Sequence, residues 1–353
     1  MTIRQVRIRG EEIRRFLLEN VEKHPAKIAR VASDHFKITR QAVHKHLQRL
    51  ISEKALVQEG QTRSRSYGLA PLFNWRRTYP ISPELAEDVV WRNDIALILG
   101  PQPQNVLDIW NYGFTEMFNN AKDHSEGSNI FVEIKKTAIR TEISIMDNGV
   151  GIFNKIQTAM NLLDERHAIL ELSKGKLTTD PSRHTGEGIF FTSRLFDRFY
   201  ILAGGVYFSH QFDKPEDWSL ESNQSAGTYL RMVLNNHTAR ISDKIFRQYA
   251  SGDDFGFNKT VVPVVLAQYG DDKLISRSQA KRLLARVELF KTVILDFEKV
   301  PAIGQAFADE IFRVFPQAHP NVALVPIKDN PEVRRMIIRA KAYGVQSIEP
   351  TDQ

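Results

Sequence analysis

The spacing of apolar residues divides this chain into segments that predict different secondary structures. Near the start, apolar positions recur every three or four residues, which predicts helices over 11–21 and 25–34 and a third helix capped by Thr39. Further on, strict alternation of polar and apolar residues over 130–134 and 142–146 predicts two strands of a half-buried sheet. The chain therefore begins with a helical region and continues into a mixed one.

The last third of the chain alternates strand patterns with helix patterns. We expect strands over 261–266, 292–297 and 322–326, and helices over 276–289, 304–315 and 331–343. Elements in this order indicate a largely parallel sheet with right-handed crossovers. The spacing of Phe307, Ile311, Phe312 and Phe315 is more typical of core packing than of a groove for a partner.

Length and composition bound the class of protein. The 353 residues, of which 42% are hydrophobic, suffice for two or three domains with buried cores. The sequence has no cysteine, so we expect neither disulfides nor thiolate metal sites. It contains neither a signal-peptide pattern nor an apolar run of about eighteen residues, and we therefore expect a soluble, cytoplasmic protein.

The net positive charge is concentrated in the first helical region. Residues 1–70 hold 15 Lys and Arg against 7 Asp and Glu, whereas the other residues hold 33 against 35. Strand patterns over 55–57 and 66–69 follow the third predicted helix and enclose a basic turn. Helices, paired strands and charge together favour a winged helix-turn-helix.

The third helix of this region would lie in the major groove of DNA. The candidate DNA contacts are Arg40, Gln41, His44 and Lys45 on that helix, together with Arg63 and Arg65 in the wing. Phosphate contacts would dominate the affinity and make it depend on salt. The alternatives are a winged-helix module that binds protein and a basic domain whose charges are only solvated.

Polar residues share one face of a predicted helix that Ile109, Tyr112 and Phe118 help to anchor. Glu116, Asn120 and Asp123 or His124 fall at i, i+4 and i+7 or i+8. Magnesium beside a triphosphate needs few protein oxygens, so Asn120 is the candidate metal ligand. Glu116, one turn earlier, is the candidate to hold and deprotonate an attacking water. Alone, such a stripe would be typical of a surface helix.

Two glycine motifs follow this helix. The second predicted strand leads through Asp147 into Asn148-Gly149-Val150-Gly151, where a carboxylate can accept a hydrogen bond from the amine of adenine. The same motif is also an ordinary turn. Gly186-Glu187-Gly188 precedes a predicted helix whose N-terminal amides can face phosphate oxygens. Between the motifs, 152–185 form either a hinged lid or a long surface loop.

Together, these segments resemble the ATPase superfamily shared by gyrase, the 90-kilodalton heat-shock chaperones, histidine kinases, mismatch-repair ATPases and anti-sigma-factor kinases. The resemblance covers about 85–235 and implies ATP and Mg²⁺ as ligands. It implies that Glu116 activates water, Asn120 binds magnesium and Asp147 binds adenine. The other residues that it implies around the nucleotide are Asp123, His124, Gly149, Gly151, Ile152, Thr185, Gly186, Glu187, Gly188, Ile189 and Thr228. A phosphate-binding Lys, which some members recruit from another domain, cannot be assigned.

The segment 293–307 resembles the core of STAS domains, the anti-anti-sigma fold. Those domains often carry a phosphorylated Ser at the start of the helix after this strand. Gly304, Gln305 and Ala306 offer no hydroxyl there, so phosphotransfer to that position is excluded. The resemblance implies that this region binds a protein partner.

The predicted architecture is multidomain α+β and α/β. It comprises a winged helix over 1–70, a connector with a helix over 71–104, an ATP-binding α/β sandwich over 105–240 with helices on one face of a mixed sheet, and a STAS-like domain over 255–353. The connector holds no His, which argues against a sensor histidine kinase.

We expect an ATP-binding, ATP-hydrolysing regulator whose nucleotide state controls its binding to DNA or to a partner. The alternatives are a serine/threonine protein kinase of the anti-sigma type that acts on a separate STAS partner, and a DNA and protein scaffold that holds ATP without hydrolysing it. A homodimer would suit a winged-helix reader, because such readers often bind paired half-sites.

Overall fold

The computed structural model describes residues 3–61, 64–177, 186–212, 214–220, 226–250, 256–268 and 273–345. Within these residues the protein is mixed α/β and contains three sheets. The chain divides into two compact units. The first unit comprises 1–78, 131–144 and 233–238, and the second comprises 79–130, 145–232 and 239–353.

The N-terminal part consists of three helices and a two-stranded antiparallel sheet. These are α1 (Ile3–Asn20), α2 (Ile28–Phe36), α3 (Arg40–Ser52), β1 (Leu56–Glu59) and β2 (Ser66–Leu69). The predicted cap of the third helix is confirmed, since Thr39 Oγ1 accepts the backbone N–H of Ala42 at 3.2 Å. Leu17, Val43 and Leu47 are fully buried between the helices.

A seven-stranded sheet follows in the order β3-β4-β5-β9-β6-β7-β8. Its strands are β3 (Phe73–Pro80), β4 (Asn129–Lys136), β5 (Arg140–Asp147), β6 (Arg198–Ala203), β7 (Val206–Gln211), β8 (Lys214–Leu220) and β9 (Thr228–Asn235). Both strands that alternation predicted are confirmed, as β4 and β5. The neighbouring pairs β6–β7 and β7–β8 are antiparallel. Because β5 ends at Asp147, the sheet fixes where that carboxylate lies.

Helices α4 to α10 accompany this sheet. They are α4 (Glu87–Val90), α5 (Ala96–Leu99), α6 (Gln104–His124), α7 (Ile152–Met160), α8 (Glu165–Lys174), α9 (Gly188–Leu195) and α10 (Ser242–Tyr249). A π-helical turn over 91–95 joins α4 to α5. In α6 the apolar face is fully buried at Ile109 and Phe118, so the opposite face carries the polar residues.

The C-terminal part contains a three-stranded parallel sheet, as predicted. Its elements are β10 (Lys259–Pro263), α11 (Arg277–Leu284), β11 (Thr292–Asp296), α12 (Gln305–Asp309), α13 (Phe315–Ala318), β12 (Ala323–Ile327) and α14 (Pro331–Val345). The predicted core residues Phe307, Ile311, Phe312 and Phe315 are buried.

Two of the predicted C-terminal elements are shorter than expected. The predicted strand over 261–266 ends at Pro263, where a 3-10 turn begins. The predicted helix over 276–289 ends at Leu284. It cannot continue because Arg286 adopts a left-handed backbone with φ 63°, which an α-helix does not accommodate.

Candidate functional site

Many of the predicted site residues line one cavity of about 280 Å³. Helix α6 contributes Glu116, Asn120 and His124, β5 contributes Asp147, and β9 contributes its first residue, Thr228. The lining also includes Ile152, Gly186, Gly188 and Ile189. Residues that are far apart in the sequence therefore meet at one place within the second unit.

Four further predicted residues are not part of that lining within the described part of the chain: Asp123, Gly149, Gly151 and Glu187. Asp123 is exposed on α6, one residue before the lining His124. Glu187 lies between two lining glycines, and Gly149 and Gly151 belong to the loop after β5. The predicted Thr185 lies outside the described residues.

Asp147 is held firmly at the end of β5. Its side chain is buried, and its Oδ1 accepts the backbone N–H groups of Gly149 at 2.9 Å and Thr228 at 3.1 Å. The Thr228 hydroxyl in turn accepts the N–H of Ile152 at 3.0 Å. Burial raises the pKa of Asp147, although these hydrogen bonds act in the opposite direction. The carboxyl is thus fixed in orientation and costly to keep ionised without a further donor.

Glycines permit the close backbone packing around Asp147. A Cβ at Gly149 would overlap the carbonyl of Ser125, and a Cβ at Gly227 would overlap the carbonyl of Asp147. Gly227 also has φ 82°, in the region that favours glycine. The loop after β5 can therefore approach the end of α6, and the start of β9 can approach the end of β5, only with small residues at these positions.

The carboxylate of Glu116 lies against the α carbon of Gly188, the first residue of α9, and a Cβ there would overlap its Oε2. The N–H groups of a first helical turn have no partners within the helix and favour an anion. Burial raises the pKa of Tyr112, and the charges of Glu116 and Glu187 raise it further. This end of the cavity therefore combines a carboxylate with the start of a helix.

Lys155, which is not among the predicted site residues, also lines the cavity. Its Nζ donates to Glu126 Oε1 at 2.5 Å. The signal was present, since Ile152, Lys155 and Ile156 lie at i, i+3 and i+4 on α7, directly after the second glycine of the motif. Lys155 is thus a cation within the lining of the cavity that sequence spacing could have identified.

Glu187, next to Gly186, and Lys176, next to the lining residue Leu177, carry opposite charges. Burial raises the pKa of Glu187 and lowers that of Lys176, and each charge opposes the effect of burial on the other. Lys176 Nζ also donates to the backbone oxygen of Leu289 at 3.0 Å and lies 4.9 Å from the ring centre of Phe290. Lys176 therefore connects the cavity rim to the C-terminal part of the chain.

The predicted DNA contacts differ in exposure. Arg40, Gln41 and Lys45 are exposed at the start of α3, whereas His44 is half-buried, with Nδ1 3.5 Å from the Tyr67 hydroxyl. Arg65 is half-buried and its Nε is shielded from solvent. Arg63 lies outside the described residues. Three of the predicted DNA contacts are thus exposed together in the first turns of α3.

Comparison with protein families finds one similarity. Residues 279–334 match a STAS-like domain of unknown function (DUF4325). The STAS-like prediction for the C-terminal part is thereby confirmed over those residues. No curated protein matches the chain. Among the helices in the described ranges, none combines the length and the apolar character that crossing a bilayer requires.

Proposed function

We propose that this protein binds and hydrolyses ATP with Mg²⁺, and that its nucleotide state controls DNA binding by residues 1–70. The observation that carries the ATP part is the convergence of Glu116, Asn120, Asp147 and Thr228 on one cavity. The order of the elements is typical of the ATPase superfamily that residues 85–235 resemble: a helix, the end of a strand, a helix preceded by glycines, and a second strand. The sandwich fold of that superfamily is part of the proposal.

The chemistry of Asp147 suits the adenine end of a nucleotide. Two backbone amides orient its carboxyl, so the group is prepared to accept a hydrogen bond from an exocyclic amine. Ile145, Ile156 and Leu230 supply apolar lining for a flat ring. A buried carboxyl whose pKa is raised is stabilised in its ionised form when such a donor arrives.

The other residues suit the phosphate end. Asn120 would hold Mg²⁺ through its side-chain oxygen, and the bound ion would neutralise charge on the phosphate oxygens. The amides at the start of α9 would face the phosphates, which approach closely because Gly186 and Gly188 lack side chains. Glu116, beside Gly188, would orient the attacking water and accept its proton.

Incubation of the purified protein with magnesium and γ-labelled ATP tests this proposal. Glu116→Ala should bind ATP but release label about a hundredfold or more slowly, because a general base contributes about that factor. Asn120→Ala should lose both the release of label and the magnesium-dependent binding of ATP. Asp108→Ala is the matched control, since Asp108 is exposed on the same helix outside the lining. Tight binding without release by the unaltered chain would favour a protein kinase or a non-hydrolysing scaffold instead.

The DNA part of the proposal is supported by the exposed residues of α3, whose positions suit a helix in the major groove. Arg40→Ala should weaken binding to duplex DNA and lower the slope of log affinity against log salt by about one. Arg30→Ala is the control, because Arg30 is an exposed residue of α2 that pairs with Asp34. No binding at low salt would remove the DNA part of the proposal and leave a module that binds protein or a basic domain whose charges are only solvated.

A further inference from the structure

A buried cluster of charged side chains joins α8 to the STAS-like region. Lys174, the last residue of α8, is 0% exposed. Its Nζ donates to Glu171 Oε1 at 2.7 Å and to the backbone oxygens of Arg282 at 3.1 Å and Ala285 at 2.8 Å. Arg286 donates to the other carboxylate oxygen of Glu171 at 3.0 Å. Every donor of the Lys174 ammonium group is therefore satisfied, two of them by the C-terminal part.

The backbone that follows α8 is held from the same side. The carbonyl of Lys174 accepts the Thr260 hydroxyl at 2.7 Å. The carbonyl of Gly175 accepts from the Arg286 guanidinium at 3.3 Å, and the carbonyl of Lys176 accepts from the same group. Three consecutive carbonyls at the C-terminal end of a helix thus find their partners on β10 and on the turn after α11.

This fixed segment reaches the cavity within one residue. Leu177 lines the cavity, and its N–H donates to the carbonyl of Gly186, which also lines it. A parallel path runs through aromatic rings: Phe190 lines the cavity, Phe257 packs 4.5 Å from it, and Phe290 packs 5.2 Å from Phe257. The wall of the cavity is therefore supported by Phe257 and Phe290.

A junction of this kind is sensitive to the loss of any one member. A buried ammonium is costly unless a countercharge and hydrogen bonds compensate it, and removing one partner of a buried pair is strongly destabilising. Burial lowers the pKa of Lys174, which Glu171 opposes. The end of α8 cannot move away from the C-terminal part without breaking these bonds together.

We propose that Glu171, Lys174 and Arg286 are positioning residues through which the STAS-like region sets the affinity of the cavity for nucleotide. This inference rests on the proposed ATP binding and concerns its regulation. When 174–176 are held, Leu177 and Gly186 are already in place for a ligand. When the bonds to residues 174–176 break, nucleotide binding must first order Leu177 and Gly186 again, and the affinity for nucleotide falls. Because coupling between two sites is reciprocal, bound nucleotide should stabilise the junction in return.

Arg286→Ala in the full-length chain tests the inference. The dissociation constant for ATP, measured by calorimetry, should rise about fivefold or more, the lower end of typical coupling between sites. The Leu177 amide should exchange its hydrogen faster, both with and without nucleotide. Arg277→Ala is the matched control, because that arginine pairs with Asp309 within the C-terminal part. The ATP affinity and the Leu177 hydrogen exchange of Arg277→Ala should equal those of the unaltered chain.

Thr260→Val provides a second test that is independent of whether Arg286→Ala folds. The substitution keeps the shape of the side chain but replaces the hydroxyl, which donates to the Lys174 carbonyl, with a methyl group, so it should shift both readouts in the same direction. Unchanged affinity and exchange in both Arg286→Ala and Thr260→Val would overturn the inference while ATP binding stands. Failure of the unaltered chain to bind ATP would overturn the proposed function itself, and the inference with it.

Discussion

At Gly188 a single methyl group tests the role of the Glu116 carboxylate. Gly188→Ala would place a Cβ where the carboxylate now lies, so Glu116 must turn away. The fold should tolerate the change, because the far end of a flexible side chain moves and alanine favours helix over glycine. We expect ATP hydrolysis to slow about a hundredfold or more, while the midpoint of thermal unfolding does not fall.

Gly10→Ala is the control for that substitution. Gly10 lies within α1, and a Cβ there would have only ordinary contacts, the nearest at 3.4 Å to the end of the Arg14 side chain. It should leave hydrolysis unchanged. Normal hydrolysis by Gly188→Ala would mean that the position of the Glu116 carboxylate does not limit the reaction.

Asp147→Asn should separate binding from stability. An asparagine oxygen can accept the same two backbone amides, but its NH₂ group then faces the adenine amine, donor against donor. The loss of a hydrogen bond to a charged group corresponds to about 10- to 100-fold weaker ATP binding. Calorimetry of ATP binding measures this loss. An unchanged affinity would mean that adenine does not contact Asp147.

The same variant should be at least as stable as the unaltered chain without nucleotide at neutral pH. Burial raises the pKa of Asp147 in the folded protein above its value of 3.8 in an unstructured chain. The ionised form therefore lowers the free energy of unfolding above the folded pKa, and that loss disappears below about pH 3.8, where both states are protonated. Denaturant unfolding of both proteins at several pH values measures the difference. A less stable variant at neutral pH contradicts this account.

The raised pKa also predicts how ATP affinity depends on pH. The ionised carboxylate of Asp147 accepts the adenine amine more strongly than the protonated carboxyl does, so affinity should fall as pH decreases through the raised pKa. Asp147→Asn cannot ionise and should lose this component of the pH dependence. Titrations of both proteins over the same pH range test it, and parallel profiles would count against Asp147 as the titrating group.

At the scale of single elements, the cap of α3 can be tested locally. Thr39→Ala removes the oxygen that accepts the Ala42 N–H, which costs about 1 kcal/mol for a helix cap. That amount corresponds to roughly fivefold faster hydrogen exchange of the α3 amides, if they exchange by local opening. Thr39→Ser keeps a capping hydroxyl and should exchange as the unaltered chain does. Equal exchange in all three proteins would show that the cap does not limit opening of this helix.

Helix α3 and strands β4 and β5 illustrate what the sequence alone could predict. The Thr39 cap and the alternation in β4 and β5 are local signals, because one residue type or a two-residue period decides the outcome. The end of α11 is different. The spacing of apolar residues does not indicate that the helix ends after Leu284. Arg286 leaves the helical path and bonds Glu171, a residue more than a hundred positions earlier. Tertiary contacts override local periodicity at such positions.

The candidate site also contains both residues that local sequence patterns predict and contacts that they do not. Glu116, Asn120 and His124 could be predicted together because they share one helical face, and they line one cavity. Lys155 could have been predicted by the same argument applied to α7. The pairing of Lys174 with Glu171 at i, i+3 is local too, but the backbone acceptors at Arg282 and Ala285 are not. No pattern in one sequence specifies a contact across such a distance.

At the scale of the whole molecule, charge and candidate chemistry occupy different parts of the chain. The excess of Lys and Arg lies within 1–70, whereas the cavity is built from residues after 115. One strand spans both units: β5 begins at Arg140, which bonds Glu22 of the first unit, and ends at Asp147 in the cavity of the second. The chain of β5 therefore joins the proposed adenine-binding residue to a residue of the first unit.

This connection leads to a prediction for the complete protein. If nucleotide changes the affinity for DNA by some factor, linkage requires DNA to change the affinity for nucleotide by the same factor. We expect a factor of about 5 to 150, typical of coupled sites. Anisotropy with random-sequence duplexes, in the nucleotide-free, ADP and ATP-analogue states, gives one factor, and calorimetry of nucleotide with and without DNA gives the other.

Asp147→Asn provides the control for this coupling, because it should bind DNA normally yet fail to respond to nucleotide at concentrations that saturate the unaltered chain. The two factors must agree if one conformational equilibrium connects the sites. Equal DNA affinity in all three nucleotide states would remove the regulatory proposal, even if hydrolysis itself were established. The cavity would then serve the STAS-like region, to which the hydrogen bonds of Lys174 and Arg286 connect it.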